Sequence, residues 1–395
     1  MERTEEVQRL AEHGCSVLCL GCPAGMLFGI DYSAWTVGPQ FMGVKLVPPG
    51  LHYLYCSPSG EDVGVARTGF FLFLRARDVH VFRWDHETEE LVRLDNADEE
   101  FRYADGVRNF DFDRNLGPYP LELSPQWVEL TRHATERLVH KVEPVSKAIR
   151  SKRAEYDMKG VDPQFSPEEE LVIECQEMDL DFVQQRQRPQ QADAGLESNF
   201  GCGTLFFSAV PRARKHVGAS PAETTQLHMD SSAKLEEMIT KVYEGDELGI
   251  LGELQLAYVA FLLGQNCDGF DQWRALLQLL CGCESGVTAR PNLFAELLRT
   301  FFAQLSQAPS DLFGDDLTSG NFMGGCALAL LESCDTEQSP PKLRRRCEKL
   351  RELVQQKFGI STDDLALLGE DAPQVVDSNG RDLVDLVGPA LADMD

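Results

Sequence analysis

Positively charged residues are scarce in this chain. Its 395 residues include 37 Lys and Arg against 64 Asp and Glu, which gives a formal net charge of −27 at pH 7. Proteins that bind nucleic acid neutralise phosphates with clustered Lys and Arg. The excess of acid therefore argues against direct nucleic-acid binding through the overall surface, and it favours other proteins as partners.

Long apolar runs are also missing. The most apolar stretch, Ile250 to Leu263, is interrupted by Glu253 and Gln255, whereas a membrane-spanning helix needs about 20 apolar residues. The first residues, Met1 to Glu6, are acidic and lack the basic-then-apolar order of a signal peptide. We therefore expect an intracellular protein that does not bind membranes.

The short motifs of catalytic and nucleotide-binding sites are absent as well. The sequence has no Gly-x-Gly-x2-Gly, no Gly-x4-Gly-Lys-Ser/Thr and no Gly-x-Ser-x-Gly. Its 8 histidines include no His-x3-His pair and no His-Glu-x2-His. Asp31, Asp111 and Asp113 offer carboxylates, but such pairings are expected by chance in so acidic a chain. We expect a protein that is not an enzyme and that needs no cofactor.

Cysteine is plentiful, with 12 residues. The sharpest group is Cys15, Cys19 and Cys22, which Cys56 joins if the strands bring it close, and four thiolates can hold zinc. Strong zinc motifs instead contain two short Cys-x2-Cys knuckles. Reduced thiols buried in a β-sheet are the favoured interpretation, and a cysteine-based zinc protein is kept as an alternative.

Residues 1–150 are predicted to form a β-rich domain with a closing helix. One hairpin is predicted at Pro48-Pro49-Gly50, where the prolines fix φ and Gly accepts a positive φ. A second is predicted around Ala76 to Asp78. Leu116 to Pro120 is a rigid connector, and helical spacing predicts one helix from Pro125 to Lys141. The predicted strands are Cys15–Leu20, Met26–Ile30, Val44–Val47, Leu51–Tyr55, Gly69–Arg75 and Val79–Trp84.

The remaining chain divides into three parts. Residues 151–200 are predicted to be a flexible linker, because Gln184 to Gln191 is low-complexity and has no apolar face. Residues 201–360 are predicted to be an α-helical domain, which Ser220 to Glu223 opens with a capping box. Residues 361–395 form an acidic, mobile tail. The further helices are predicted at Leu248–Leu263, Asp268–Leu280, Pro291–Ser306, Phe322–Glu332 and Pro341–Phe358.

Two short segments are candidates for contacts with other proteins. Arg344 to Arg346 lies on the last helix, where a solvated face is favoured over a weak nuclear import signal. A β-prone piece interrupts the acidic tail, and such a piece can add as an edge strand to a partner's sheet. A merely disordered end is the alternative. The candidate partner-binding residues are Pro373, Gln374, Val375, Val376 and Asp377.

Three blocks of the sequence carry motifs in a recognisable order. The first block is Gly29-Ile30-Asp31-Tyr32-x2-Trp35-x-Val37-Gly38-Pro39-x-Phe41-x-Gly43-Val44-Lys45 with Pro48-Pro49-Gly50-x-His52. The second is the Leu-Gly-Pro-Tyr-Pro element at Leu116 to Pro120. The third contains Pro221-Ala222-Glu223, Leu251-Gly252-Glu253-Leu254-Gln255, Phe261-Leu262-Leu263-Gly264, Phe270, Trp273 and Leu277-x2-Leu280-Cys281. Together these blocks resemble the AAR-two (a-one/alpha-two repression) splicing factor family. They run in order from about His13 to Phe358, which makes the resemblance specific.

The resemblance implies an α+β protein with a β-rich, sandwich-like N-terminal domain and an all-α, VHS-like C-terminal domain. It implies a pre-mRNA splicing factor that assists U5 snRNP and tri-snRNP assembly in the nucleus and cytoplasm. Such a factor binds the RNase H-like and Jab/MPN-like domains of the large U5 scaffold protein and blocks premature helicase binding. In better-described members the C-terminal tail adds as a strand between those two domains, a role that we expect for Pro373 to Asp377. A non-splicing interaction adaptor is the other alternative.

Overall fold

The fold was obtained as a computed structural model. Its described residues are 2–60, 66–94, 96–151, 203–211, 230–308 and 322–358, and side chains are described from residue 7 onward. The chain groups into two compact units, which are residues 1–212 with 237–276, and residues 213–236 with 277–395. The predicted limits at residues 150, 200 and 360 stay a prediction. The capping box at Ser220 and the whole predicted tail lie outside the described residues.

The first unit contains two β-sheets of five strands each, in the orders β8-β7-β1-β4-β9 and β10-β6-β5-β2-β3. Side chains from both sheets share one core: Val17 and Phe82 come from the first sheet, and Phe28, Leu54 and Phe70 come from the second. The sheets therefore face each other as a sandwich. The strands are β1 Cys15–Leu20, β2 Leu27–Ile30, β3 Ser33–Thr36, β4 Gly43–Val47, β5 Gly50–Ser57, β6 Thr68–Leu74, β7 Val79–Asp85, β8 Glu90–Arg93, β9 Leu116–Pro118 and β10 Ile149–Arg150.

Helices make up most of the described chain after residue 230. This division confirms the predicted α+β class, with a β-rich N-terminal part and a helical C-terminal part. The helices are α1 Glu2–His13, α2 Ala97–Arg108, α3 Ser124–Leu130, α4 Glu136–Val142, α5 Ser232–Lys241, α6 Gly249–Leu262, α7 Cys267–Cys281, α8 Glu284–Ala289, α9 Pro291–Gln307, α10 Phe322–Cys334 and α11 Pro341–Leu353, which continues as a π-helical turn at Val354–Phe358. None of the helices in the described ranges is long and apolar enough to span a membrane.

Both predicted hairpins are wrong. The Pro48–Gly50 turn connects β4 to β5, yet β4 pairs with β1 and β9 in one sheet, while β5 pairs with β2 and β6 in the other. The turn at Ala76 to Asp78 likewise connects β6 and β7 of different sheets. The turn residues determine where the chain changes direction, but they do not determine which strands pair. Each strand beside the turns pairs with strands that allow its apolar face to be buried between the sheets. Two of the strand pairs, β1 with β7 and β4 with β9, are parallel.

The single helix predicted at Pro125 to Lys141 is two helices, α3 and α4. Two threonines divide them. The Thr131 hydroxyl donates to the Trp127 carbonyl at 2.9 Å, and the Thr135 side chain accepts the Leu138 amide at 3.3 Å as the N-cap of α4. Threonine side chains can hydrogen-bond to backbone groups in place of helical bonds. The apolar residues therefore keep helical spacing on both sides of a point where the helix itself is interrupted.

In the second unit, α11 packs on α9. One face of α11 buries Leu343, Cys347 and Leu350, as the helical spacing predicts. Of the predicted solvated triplet, Arg344 and Arg345 are exposed, but Arg346 is only half-exposed. Its guanidinium lies 3.2 Å from the Glu296 carboxylate and also donates to the Ala295 carbonyl. The third arginine therefore fastens α11 to α9.

A buried tryptophan provides a test of how α3 is attached to β5. Trp127 is 1% exposed, and its indole N–H donates to the Leu51 carbonyl at 2.6 Å. We expect Trp127→Phe to lower the free energy of unfolding by about 1–4 kcal/mol, because it removes this donor and leaves a small cavity. The same substitution at Trp35, which is 39% exposed, is the control and should change stability little. If urea unfolding showed that both variants lose the same free energy of unfolding, the structural role given to Trp127 would be contradicted.

Candidate functional site

The first block of the resemblance forms a buried polar network around Asp31. This residue follows β2 and has a φ of 53°. One carboxylate oxygen accepts the Tyr53 amide at 2.8 Å, and the other accepts the Tyr119 hydroxyl at 2.6 Å. The second oxygen also lies 2.6 Å from Nδ1 of His52, whose Nε2 lies 2.7 Å from the Pro48 carbonyl oxygen. One carboxylate thus connects the end of β2, strand β5 and the segment after β9, and His52 extends the network to the turn before β5.

The surroundings of His52 favour its charged form. Both ring nitrogens face atoms that only accept hydrogen bonds, so the imidazolium, which donates from both, satisfies them best. Burial lowers the pKa of His52, but the Asp31 charge, the bond to Asp31 and the bond to Pro48 together raise it above 6.5. The pKa of Tyr119 is raised by burial and by the charge of Asp31, which keeps its hydroxyl protonated as a donor.

This cluster contains the residue types of a catalytic set, but its geometry is closed. Asp31 is 2% exposed and His52 is 3% exposed. A general base needs a free lone pair within reach of substrate, and both nitrogens of His52 are already bonded within the protein. The bonds of the network therefore hold the segments after β2 and β9 against β5, and they leave His52 no free lone pair for a substrate.

We predict that His52 makes stability depend on pH. Because its folded pKa is raised above 6.5, its stabilising charge is fully present below about pH 6.5 and is lost as pH rises through the folded pKa. The difference in unfolding free energy between the wild type and His52→Gln should therefore be larger at about pH 6 than at about pH 9.

The matched control is His86→Gln, at an exposed position, which should change stability little at either pH. NMR titration of the His52 ring gives an independent reading. A midpoint below 6.5 for that ring would contradict the prediction.

The third block of the resemblance forms a second buried network, around Glu253 of α6. This carboxylate is 0% exposed and receives four hydrogen bonds. Ser208 donates its amide at 2.6 Å and its hydroxyl at 2.7 Å, the Tyr243 hydroxyl donates at 3.0 Å and the Gln272 amide donates at 3.0 Å. The Lys141 ammonium lies 3.8 Å away. These donors fill the acceptor positions of the carboxylate, which explains how a charged residue is tolerated inside α6.

Neighbouring residues of the same block hold α6 against the turn between α3 and α4. The Gln255 side chain accepts the His133 amide at 2.8 Å. Gly252 meets the same turn so closely that a Cβ would overlap the His133 carbonyl oxygen. The glycine is therefore required by a close backbone approach.

We predict that Glu253→Gln destabilises the protein by about 2–5 kcal/mol, because an amide NH2 would face donors where a carboxylate oxygen now accepts. The control is Glu244→Gln. Glu244 pairs with Arg137 at 2.6 Å, but its side chain is 67% exposed, so little change is expected there. Chemical unfolding of both variants measures the difference. Equal stabilities would show that the buried network contributes nothing.

The predicted cysteine group does not assemble into a metal site. Cys15 donates its thiol hydrogen to the Arg75 carbonyl at 3.0 Å, and burial raises its pKa to about 11. Cys19 and Cys56 are buried, and Cys22 is half-buried. Among the residues that the structure describes, no group of three or more His, Cys, Asp and Glu could hold a metal ion. The zinc alternative therefore has no site in that part of the chain.

Surface features are more suggestive of protein contacts. The two most exposed large apolar side chains of the described ranges are Phe101 on α2, at 66%, and Phe110 just after it, at 72%. Trp35 is 39% exposed on β3, an edge strand of its sheet. The first turn of α2 carries the acidic residues Asp98, Glu99 and Glu100. Exposed aromatic side chains are enriched at protein-binding surfaces.

The sequence missed some of these residues and could have found others. Tyr119 lies in the segment predicted as a rigid connector. Nothing in the sequence near it indicates Asp31 as its hydrogen-bond partner, because only the folding of the chain brings the two residues together. Glu253 did carry a signal, because a lone acid inside an apolar helix must be paired.

The structure brings Asp111 and Asp113 to no shared site: Asp113 pairs with Lys45 at its own surface position. The predicted partner-binding residues Pro373 to Asp377 lie outside the described residues and stay a prediction.

Comparisons with known proteins agree over nearly the whole chain. The family model of the AAR2 N-terminal domain matches residues 13–144, and that of the AAR2 C-terminal repeat region matches residues 207–363. "Protein AAR2 homolog" of Mus musculus is 34% identical over 359 residues, which is 90% of this chain and 91% of that protein. The Homo sapiens protein of the same name is 34% identical over 385 residues (94% and 95%), and that of Caenorhabditis elegans is 27% identical over 360 residues (90% and 96%). None of these names denotes an enzyme.

Proposed function

The chain belongs to the AAR2 family, and from that premise we propose that it is a pre-mRNA splicing factor that assists assembly of the U5 snRNP. It binds the large U5 scaffold protein through the scaffold's RNase H-like and Jab/MPN-like domains, and it blocks premature helicase binding. It works in the nucleus and the cytoplasm. The observation that carries the proposal is the match of both family domains, in order, along one chain.

The chemistry of the described residues supports a binding role. The two polar networks around Asp31 and Glu253 are closed to solvent, and each acidic group is fully used in holding the fold. Residues of the family resemblance therefore build a rigid support rather than an open reaction site. A rigid support suits a protein whose task is to cover a partner's surface, because little conformational freedom is lost on binding.

The charge of the chain supports the same role. At a formal −27, the protein repels RNA through its overall field. A scaffold surface that later receives RNA would need basic groups to neutralise phosphates, so an acidic protein could occupy such a surface while repelling RNA itself. Direct RNA binding is not part of the proposed function.

The tail contributes a second attachment. Pro373, Gln374, Val375, Val376 and Asp377 add as a short strand to a sheet edge of the scaffold. Backbone hydrogen bonds would supply affinity, and the alternating side chains would supply register. This step follows from the β-prone sequence in an acidic surrounding.

We predict that the full chain captures the isolated RNase H-like domain of the U5 scaffold protein in a pull-down at low salt. Truncation after Ser361 should leave that capture intact but weaken capture of the Jab/MPN-like domain, because it removes the proposed strand. Thermal unfolding of the truncated protein should be unchanged, since the strand acts on the partner rather than on the fold.

A matched variant separates the strand from the charge of the tail. Val375→Pro in the full chain keeps every charge but prevents the backbone pairing of a strand at that position. It should weaken capture of the Jab/MPN-like domain as the truncation does, whereas Asp371→Asn should not. Recovery of neither scaffold domain by the full chain would overturn the proposed function. A sharp loss of thermal stability on truncation would instead make the tail part of the fold.

A further inference from the structure

Within the described residues the two sheets end in four edge strands, β8 and β9 in one sheet and β3 and β10 in the other. An edge strand leaves backbone N–H and C=O groups without partners, and proteins commonly guard it with charged residues, with proline or with a covering segment. β8 begins at Glu90 and ends at Arg93, and β9 ends at Pro118. β10 is covered, because the Asn266 side chain donates to the Arg150 carbonyl at 2.8 Å.

β3 has none of these guards. Its four residues, Ser33–Thr36, include no charge and no proline, and the last three of them are exposed. The only Asp, Glu, Lys or Arg between His13 and Lys45 is Asp31, which is buried. An uncharged edge is therefore open to solvent in a chain whose formal net charge is −27.

The backbone groups that β3 offers follow from its pairing with β2. The Val37 amide donates to the Met26 carbonyl at 3.0 Å, and the Val37 carbonyl accepts the Gly25 amide at 2.8 Å. Val37 thus directs both of its backbone groups toward β2, and this direction alternates from residue to residue along an antiparallel strand. Ala34 and Thr36 therefore direct theirs away from β2, where no other described segment bonds to them.

Trp35 adds an aromatic side chain to this edge. It lies opposite Phe28 in the register of β2 and β3, so the two side chains share one face of the sheet. Phe28 belongs to the sandwich core, whereas Trp35 is 39% exposed. Tryptophan is enriched among the residues that dominate the energy of protein interfaces. A strand that adds to β3 would thus gain backbone hydrogen bonds and an aromatic contact together.

We propose that the β3 edge receives a strand from the RNase H-like domain of the scaffold. The inference rests on the proposed function and names the surface that serves it. An RNase H-like domain contains a β-sheet, and one that handles RNA needs basic groups to neutralise phosphates. An acidic chain attracts such a domain, and an edge without charge repels no basic strand. A second copy of this chain has the same excess of acid and is repelled.

A pair of substitutions at Ala34 tests the edge. Proline removes the outward N–H, and an edge strand tolerates it where the N–H faces solvent. Valine keeps the N–H and suits a strand, so Ala34→Val is the matched control. Titration calorimetry at low salt measures binding of the isolated RNase H-like domain to each full chain. We expect Ala34→Pro to weaken binding about ten-fold or more, and Ala34→Val to bind as the wild type does.

Hydrogen exchange of the wild-type chain gives a second reading that needs no variant. The amides of Ala34 and Thr36 should exchange more slowly when the domain is added, because an added strand accepts their hydrogen bonds. Thermal unfolding shows whether Ala34→Pro is folded. If it is not, the exchange of residues 33–37 decides the question.

The outcomes separate this inference from the proposed function. If the wild-type chain does not bind the domain, both fail. If the wild type binds, but Ala34→Pro binds equally well or exchange at β3 does not slow, only the edge assignment fails. Sedimentation velocity of the free chain is the remaining check. A dimer that Ala34→Pro abolishes would assign the edge to a second copy and would overturn the inference.

Discussion

The Asp31 carboxylate is the interaction on which the sheet domain depends. It accepts hydrogen bonds from a backbone amide and a histidine ring of β5 and from a tyrosine hydroxyl after β9, so that it joins three stretches of chain, its own included. A carboxylate that is 2% exposed is costly unless it is paired, so the three stretches must be in place together. The charged ring of His52 supplies the compensating charge, and its second nitrogen bonds to the turn that carries the chain from one sheet to the other.

Glu253 of α6 is a second buried carboxylate that is stabilised by several hydrogen-bond donors. Its four hydrogen bonds come from the segment at Ser208, from Tyr243 in the turn after α5, and from Gln272 of α7. Together the two acids show why blocks of this sequence that look like site motifs build structure instead. Their polar atoms are consumed inside the protein, and none of them is left to bind a substrate. The names of the relatives in the family denote no enzyme.

Cysteines fill the core of the sheet domain. Cys15 donates its thiol hydrogen to a backbone carbonyl and is buried. Cys19 and Cys56 belong to the same core, and half-buried Cys22 packs against it. The residues of the sharpest cysteine group in the sequence are therefore part of the packing between the two sheets.

The sequence by itself determined the fold class, most helix limits after residue 248 and the family, because apolar periodicity and ordered motifs are local or cumulative signals. An acid inside the apolar α6 also carries, in the sequence alone, a signal that it is paired. Only the tertiary structure decided which strands pair across the Pro48 turn, that Tyr119 completes the Asp31 network, and that one predicted helix is α3 and α4. These outcomes depend on contacts between residues far apart in the chain, where burial between two sheets selects the partner and local propensity does not.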